Sequence, residues 1–260
     1  MVIDPSVMLG MLGISIALLM LVPDWRPALA LLCVCGGLLV AFEQQELQAL
    51  GGASAGPTIK LLIAVNVASL LCVGLIVLWT GLTYSREYEQ GATDEESKLH
   101  VRRAARQAAR AMEPQGWNAY RVPVFAIVVL VLGTLLLPLV YPSPMRASMY
   151  AWTLLAFGGL LTVASSNTLL KLDMGLLLIC FGLRLGYLTQ AEAVGFFELA
   201  LFSVVPIVIA LVMALLCSLV FARLGTLRLA LLLGQARPAL TSDSNGASVP
   251  KDSVIANDLR

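Results

Sequence analysis

Seven apolar runs, each close to the length of a bilayer's hydrocarbon core, constrain this chain more than any other feature. They lie at about Ser6 to Leu21, Pro27 to Phe42, Thr58 to Tyr84, Val122 to Tyr141, Met149 to Ala164, Thr168 to Leu188 and Val194 to Arg223. A helix needs about 20 mainly apolar residues to cross roughly 30 Å of hydrocarbon. The chain is 59% hydrophobic and 13% charged, with a mean hydropathy of +0.87, which excludes an ordinary soluble domain of 260 residues. The expected fold is therefore all-α: a polytopic integral membrane protein with about seven transmembrane helices. The start, MVIDPS, lacks a positive leader region, so the first run is expected to stay in the protein.

Lys and Arg in the connecting segments set the expected orientation. Residues 85–121 hold Arg86, Lys98, Arg102, Arg103, Arg106, Arg110 and Arg121, and read as a cytoplasmic loop. The segments on the other side are poor in positive charge: 43–57 and 189–193 have none, and 142–148 has Arg146 alone. The N-terminus is thus expected outside and the C-terminus in the cytoplasm, in agreement with Arg223, Arg228 and Arg237 after the last run. The chain divides into a three-helix segment at 1–84, the loop at 85–121, a fourth span with its outer connection at 122–148, a three-helix unit at 149–234 and a polar tail at 235–260, expected to be disordered.

Within the cytoplasmic loop, Thr93 and Glu96 have capping-box spacing, and the Ala-rich run from Lys98 to Met112 favours a helix. Arg102, Arg106 and Arg110 recur every four residues and form one basic stripe. It suits anionic lipid headgroups or an acidic partner, and equally suits a solvated loop helix.

The chemistry-bearing patterns are mostly missing. There is no phosphate-binding loop, no GxSxG, no HExxH and no carboxylate pair at helical spacing inside a span. Net charge is +1, so nothing points to nucleic acid, and the single His100 argues against a bis-histidine haem. All five cysteines lie in apolar runs without a CxxC, where a thiol behaves as a small hydrophobe. No catalytic residue, metal or cofactor is expected. The Ser165-Ser166-Asn167 cluster reads as the polar cap of the sixth span.

The sixth span is where the sequence hints at work. It carries Lys171, Asp173 and Arg184, and a charge at the centre of a span costs about 2.5 to 3.5 kcal/mol on insertion scales. Lys171 and Asp173 are two apart and diverge on a helix, so each must find water, headgroups or another helix. Lys171 is near enough to the end to snorkel, whereas Asp173 is shorter and deeper. Arg184 is expected to form a structural ion pair with Glu198 of the next span, with Glu192 as the other candidate. Pro206 removes a backbone donor inside the seventh span and invites a kink. Asn66, Ser69 and Ser203 have side chains that hydrogen-bond across helices.

These same residues carry a family resemblance. Residues 149–234 resemble the three-helix unit shared by the K subunit of complex I, the C subunit of Mrp-type cation/proton antiporters and the membrane E component of formate-hydrogenlyase-type complexes. The matching pieces are Gly159-Leu160-Leu161, Asn167-Thr168-Leu169-Leu170, Gly175-Leu176 and Phe221-Ala222-Arg223. The extra helices in front are similar to those of the E component. The resemblance implies a membrane subunit of a multi-subunit energy-converting complex in the bacterial cytoplasmic membrane, lining an ion or proton pathway or holding antiporter-like subunits together, with redox centres in other chains. K subunits carry glutamates in the second and third helices; here the second offers Asp173 about a turn earlier, and the third has Pro206 near that place. Lys171 and Asp173 are therefore the expected pathway residues. The alternatives are a stand-alone transporter or permease, and a purely structural assembly subunit.

Overall fold

In a computed structural model the chain is described over residues 4–22, 24–51, 56–90, 118–140, 147–190 and 196–224. These residues form seven helices: α1 (Pro5–Leu21), α2 (Trp25–Gly51), α3 (Gly56–Gln90), α4 (Asn118–Val140), α5 (Ala147–Ala164), α6 (Leu169–Gln190) and α7 (Phe196–Leu224). The all-α expectation holds for the described residues. Four helices contain stretches long and apolar enough to cross a membrane, at Trp25–Gln48, Lys60–Tyr84, Ala147–Ala164 and Phe197–Ala222. Pro5–Leu21 and Tyr120–Leu136 are shorter apolar helices. The basic stripe of Arg102, Arg106 and Arg110 and the tail at 235–260 lie outside the described residues.

Local chemistry places the helix ends. Asp4 caps α1 by accepting from the Ser6 N–H (3.1 Å) and hydroxyl (2.5 Å), with Pro5 at the first helical position, where its missing N–H costs nothing. Between α5 and α6 the cap falls on Thr168, one residue past the expected Ser-Ser-Asn cluster: its Oγ1 accepts from the Lys171 N–H at 3.3 Å. Ser165 and Ser166 serve the other side of the turn, donating to the Thr162 and Val163 carbonyls at the end of α5.

One boundary departs from expectation in a way that matters. The second apolar run ends at Phe42, yet α2 continues nine residues further, to Gly51. The polar stretch Glu43-Gln44-Gln45-Glu46 lowers hydropathy but consists of good helix formers, and no Gly or Pro intervenes. Its buried positions, Leu32, Cys35, Leu39, Phe42, Glu43, Glu46 and Leu47, follow helical three-and-four spacing across that boundary. Two carboxylates, Glu43 and Glu46, therefore stand at helical spacing within the membrane-length stretch Trp25–Gln48, contrary to the expectation that no span holds such a pair.

At the centre is α6, with 13 of its 22 residues buried; it packs against α5, α7 and α2. The α5–α6 contact is glycine-lubricated: a Cβ on Gly159 would come within 2.7 Å of the Gly175 carbonyl oxygen, and one on Gly182 within 2.6 Å of the Ala156 nitrogen. Only a missing side chain lets the two backbones approach this closely. α7 in turn packs on α3 as well as α6 and runs as a continuous helix through the buried Pro206.

Candidate functional site

Helix α6 has two chemically distinct sides. Gly175, Ile179, Gly182 and Gly186 face α5, whose Val163, Gly159, Ala156 and Trp152 they meet. At 3.6 residues per turn, Asp173, Leu177 and Arg184 lie roughly 160° to 200° around from that seam. The 11 residues from Asp173 to Arg184 make about three turns, so the two ionisable groups share a face and stand ~16 Å apart along the axis. Leu177 and Phe181, both buried, fill the interval. Lys171 falls on the seam side, so it diverges from Asp173 as its spacing requires.

At the Arg184 end, four helices meet in a polar cluster. Arg184 Nε of α6 lies 2.8 Å from Glu43 Oε1 of α2, with 5% and 1% of their side chains exposed. The approach is ionic rather than an aligned hydrogen bond, since neither atom meets hydrogen-bond geometry, and Arg184 Nη2 is buried without a hydrogen-bond partner. The other oxygen, Glu43 Oε2, accepts from Asn66 Nδ2 of α3 at 2.5 Å. Asn66 Oδ1 lies 3.0 Å from the hydroxyl of Ser203 in α7, and that hydroxyl is also 3.0 Å from the Leu199 carbonyl. Ser69 of α3 donates to the Ser203 carbonyl at 2.5 Å, tying α3 and α7 three residues before Pro206. One turn along α2, Glu46 accepts from the Ser148 hydroxyl of α5 at 2.6 Å.

The other end of α6 is organised differently. Lys171 Nζ donates to the Met20 carbonyl at 2.7 Å and to the Val22 carbonyl at 3.3 Å. These belong to the end of α1, where the last carbonyls have no intrahelical donor and the dipole is negative, so a cation there is a cap. Asp173 is 4% exposed, and its Oδ1 has no hydrogen-bond partner. Cys217 of α7 is within electrostatic reach of it, beside an apolar cluster of Leu169, Met213 and Cys217. A carboxyl in such surroundings keeps a full desolvation cost with little to offset it.

Two sequence expectations need revision. Arg184 pairs with Glu43, not with Glu198; Glu198 is exposed and accepts from the Tyr187 hydroxyl. The reason is reach: α6 turns its Arg184 face to α2, while the Glu198 end of α7 meets the chain at Tyr187. Glu43 itself was missed because hydropathy assigns it to a loop. Its signal is the unbroken run of good helix formers past Phe42, with no Gly or Pro before Gly51. Asn66, Ser69 and Ser203 do hydrogen-bond across helices, as their placement in apolar runs suggested. Among the described residues no group of three or more His, Cys, Asp or Glu is arranged to hold a metal. Comparison of the chain with family models, with curated proteins and with solved structures finds no match.

Proposed function

We propose that this chain is an integral membrane subunit of a multi-subunit energy-converting assembly of the complex I and Mrp kind, and that Asp173 takes up and releases protons on a path through its helical bundle. The single observation that carries the reading is Asp173: a carboxyl placed inside a helical bundle of which four helices are long and apolar enough to cross a membrane, buried, with an oxygen that no protein group satisfies. Intramembrane carboxyls of this kind mark proton or ion routes, because an idle one is a standing cost. Support for membrane insertion comes from the apolar faces left uncovered, such as Leu201, Val208, Leu211, Leu215 and Leu219 on α7. The orientation is N-terminus outside and C-terminus in the cytoplasm, on the charge of the loop at 85–121, in the bacterial cytoplasmic membrane.

The assembly part of the reading rests on the resemblance of 149–234, and the close Gly159–Gly175 approach of two of its motif pieces supports a compact unit. In this reading Lys171 holds α1 against the start of α6 rather than carrying the proton. Large antiporter-like membrane subunits are the partners, with anionic lipids at the Arg102, Arg106 and Arg110 stripe.

A purely structural subunit is the second reading, favoured by the fact that Lys171 and Arg184 both find partners inside the chain. Two measurements separate them. Mild-detergent purification of the tagged chain should bring antiporter-like subunits in fixed ratio; a clean monomer or homo-oligomer sinks the assembly. Proton flux across vesicles holding the purified complex should be lost in Asp173→Asn with assembly intact. Undiminished flux sinks the pathway.

A further inference from the structure

The Arg184 end holds a hydrogen-bond chain with two complete arrangements, and only one of them is drawn by the geometry as it stands. Glu43 Oε2 accepts from Asn66 Nδ2, and Asn66 Oδ1 accepts from Ser203. A hydroxyl has one proton, yet the Ser203 hydroxyl has two acceptors at the same 3.0 Å distance, Asn66 Oδ1 and the Leu199 carbonyl. Asn66 is 3% exposed and Ser203 1%, so water does not stand in freely for a lost partner. An amide has nearly the same shape either way round, with its donor and acceptor ends exchanged.

We propose that Asn66 is an amide switch that registers a proton on Glu43 and passes its presence from α2 to α7 through Ser203. The ligand is a proton, delivered from water. When it bonds to Glu43 Oε2, that oxygen becomes a donor and can no longer face the Asn66 NH2 group. A half-turn of the amide presents Oδ1 to the new O–H and Nδ2 to Ser203 Oγ. Ser203 then donates to Leu199 alone. One proton is added, Arg184 keeps its own and is left facing a neutral carboxyl, and Glu43 Oε2, Asn66 and Ser203 each keep a hydrogen-bond partner in both states. The site takes a proton without opening a cavity, and its output falls on α7 three residues before Pro206, where the helix lacks a backbone donor and Ser69 ties it to α3.

Among the described residues the charged surroundings are few. Arg184 of α6 is in direct contact with Glu43, and Glu46 lies one turn on along α2. Lys60 on α3, Tyr187 on α6 and Glu198 on α7 are titratable groups toward the same end, near the joint Leu47, Leu62, Leu188 and Leu199 cluster. Ser148 is the contact from α5, and α1 brings Met8 to within 3.6 Å of Gln45, with the exposed carboxylate of Asp4 one turn before it at the helix cap. The inference goes beyond the pathway reading and holds whether or not Asp173 conducts.

The test is infrared difference spectroscopy on the full chain, alone and within its purified complex, in phosphatidylcholine vesicles stepped from alkaline to acid pH, with asparagine side chains labelled by nitrogen-15. The expected result is a protonated-carboxyl component belonging to Glu43, read as the difference between the parent and Glu43→Gln against the bands of the other Asp and Glu residues, together with a label-sensitive amide band. Both are lost in Glu43→Gln, the amide band alone is lost in Asn66→Leu, and the carboxyl stretch shifts in Glu43→Asp. The wild-type label needs no variant to fold. Carboxyl bands identical in the parent and Glu43→Gln, a Glu43 component with a silent amide, or no label-sensitive band across the pH range each overturns the switch. Proton flux of Asp173→Asn in the same vesicles reads the other proposal separately, so either can fail alone.

Discussion

The two ends of α6 solve the same problem in opposite ways. At one end the buried Arg184 meets a carboxylate, and that carboxylate is held by an amide held by a hydroxyl, across four helices. At the other, Lys171 reaches the carbonyls closing α1, and Asp173, two residues on, is left with an oxygen that nothing satisfies. A charge that finds its partners inside the chain holds helices in register. A carboxyl that does not find them weakens the fold, and its retention calls for a reason outside stability. The contrast therefore predicts that removing the charge of a partnered group, Arg184, Glu43 or Lys171, costs stability, whereas removing that of Asp173 does not.

The largest expected effect is at the paired end. Arg184→Met or Glu43→Met alone leaves an uncompensated buried charge and is expected to cost about 3–5 kcal/mol. The double variant removes both charges and is expected to recover to within about 1–2 kcal/mol of the parent, because buried pairs gain little over apolar side chains of like volume. Denaturation in mixed micelles reads all three. Additive losses break the comparison. The cycle of Arg184→Ala with Glu198→Ala should, by contrast, be additive to within about 0.5 kcal/mol, since these two side chains do not meet.

At the other end the effects are smaller and of mixed sign. Lys171→Met removes the cation that caps α1 and is expected to cost about 1 kcal/mol, with a neutral donor such as Gln recovering part of it. Asp173→Asn should cost no stability and gain up to about 1 kcal/mol, by replacing an ionisable group with a neutral one of the same shape. A loss of stability there reveals a partner for Asp173 and removes the ground for giving it a task.

How much of this was legible depended on whether the signal was local. The apolar run ending at Ala164 and the helix Ala147–Ala164 nearly coincide, as do Ser6 to Leu21 and Pro5–Leu21, because hydropathy and helix ends fall together there. They part at Phe42, where the chain turns polar without leaving the helix. That single misplacement hid Glu43, Glu46 and hence Arg184's partner. Glu198 was the choice in the neighbouring span, but helix packing brings α2, more than a hundred residues earlier in the chain, to that face of α6. Lys171 and Asp173 were correctly read as divergent from spacing alone. Which of them would be satisfied was not legible, since it depends on where α1 ends in space.

The smallest effect sharpens the contrast by setting Asp173 against another aspartate. Asp4 is fully exposed, yet its carboxylate is doubly partnered by Ser6 at the start of α1. The Ser6 hydroxyl foremost, then the Ser6 N–H, hold its carboxyl below the ordinary value for an aspartate. Its ionised form is thus favoured by folding, so its contribution is present at neutral pH and is lost as pH falls below about 4, through the lowered value. Asp4→Asn keeps an acceptor for the cap while removing the titration. The difference in stability between parent and Asp4→Asn should therefore shrink on acidification below that range and stay level above it. Because Asp4 meets water, its charge is screened by salt as well, and the gap should narrow further at high ionic strength. A gap that is flat with pH means that the α1 cap does not depend on charge, and only geometry then distinguishes a partnered aspartate from an unpartnered one.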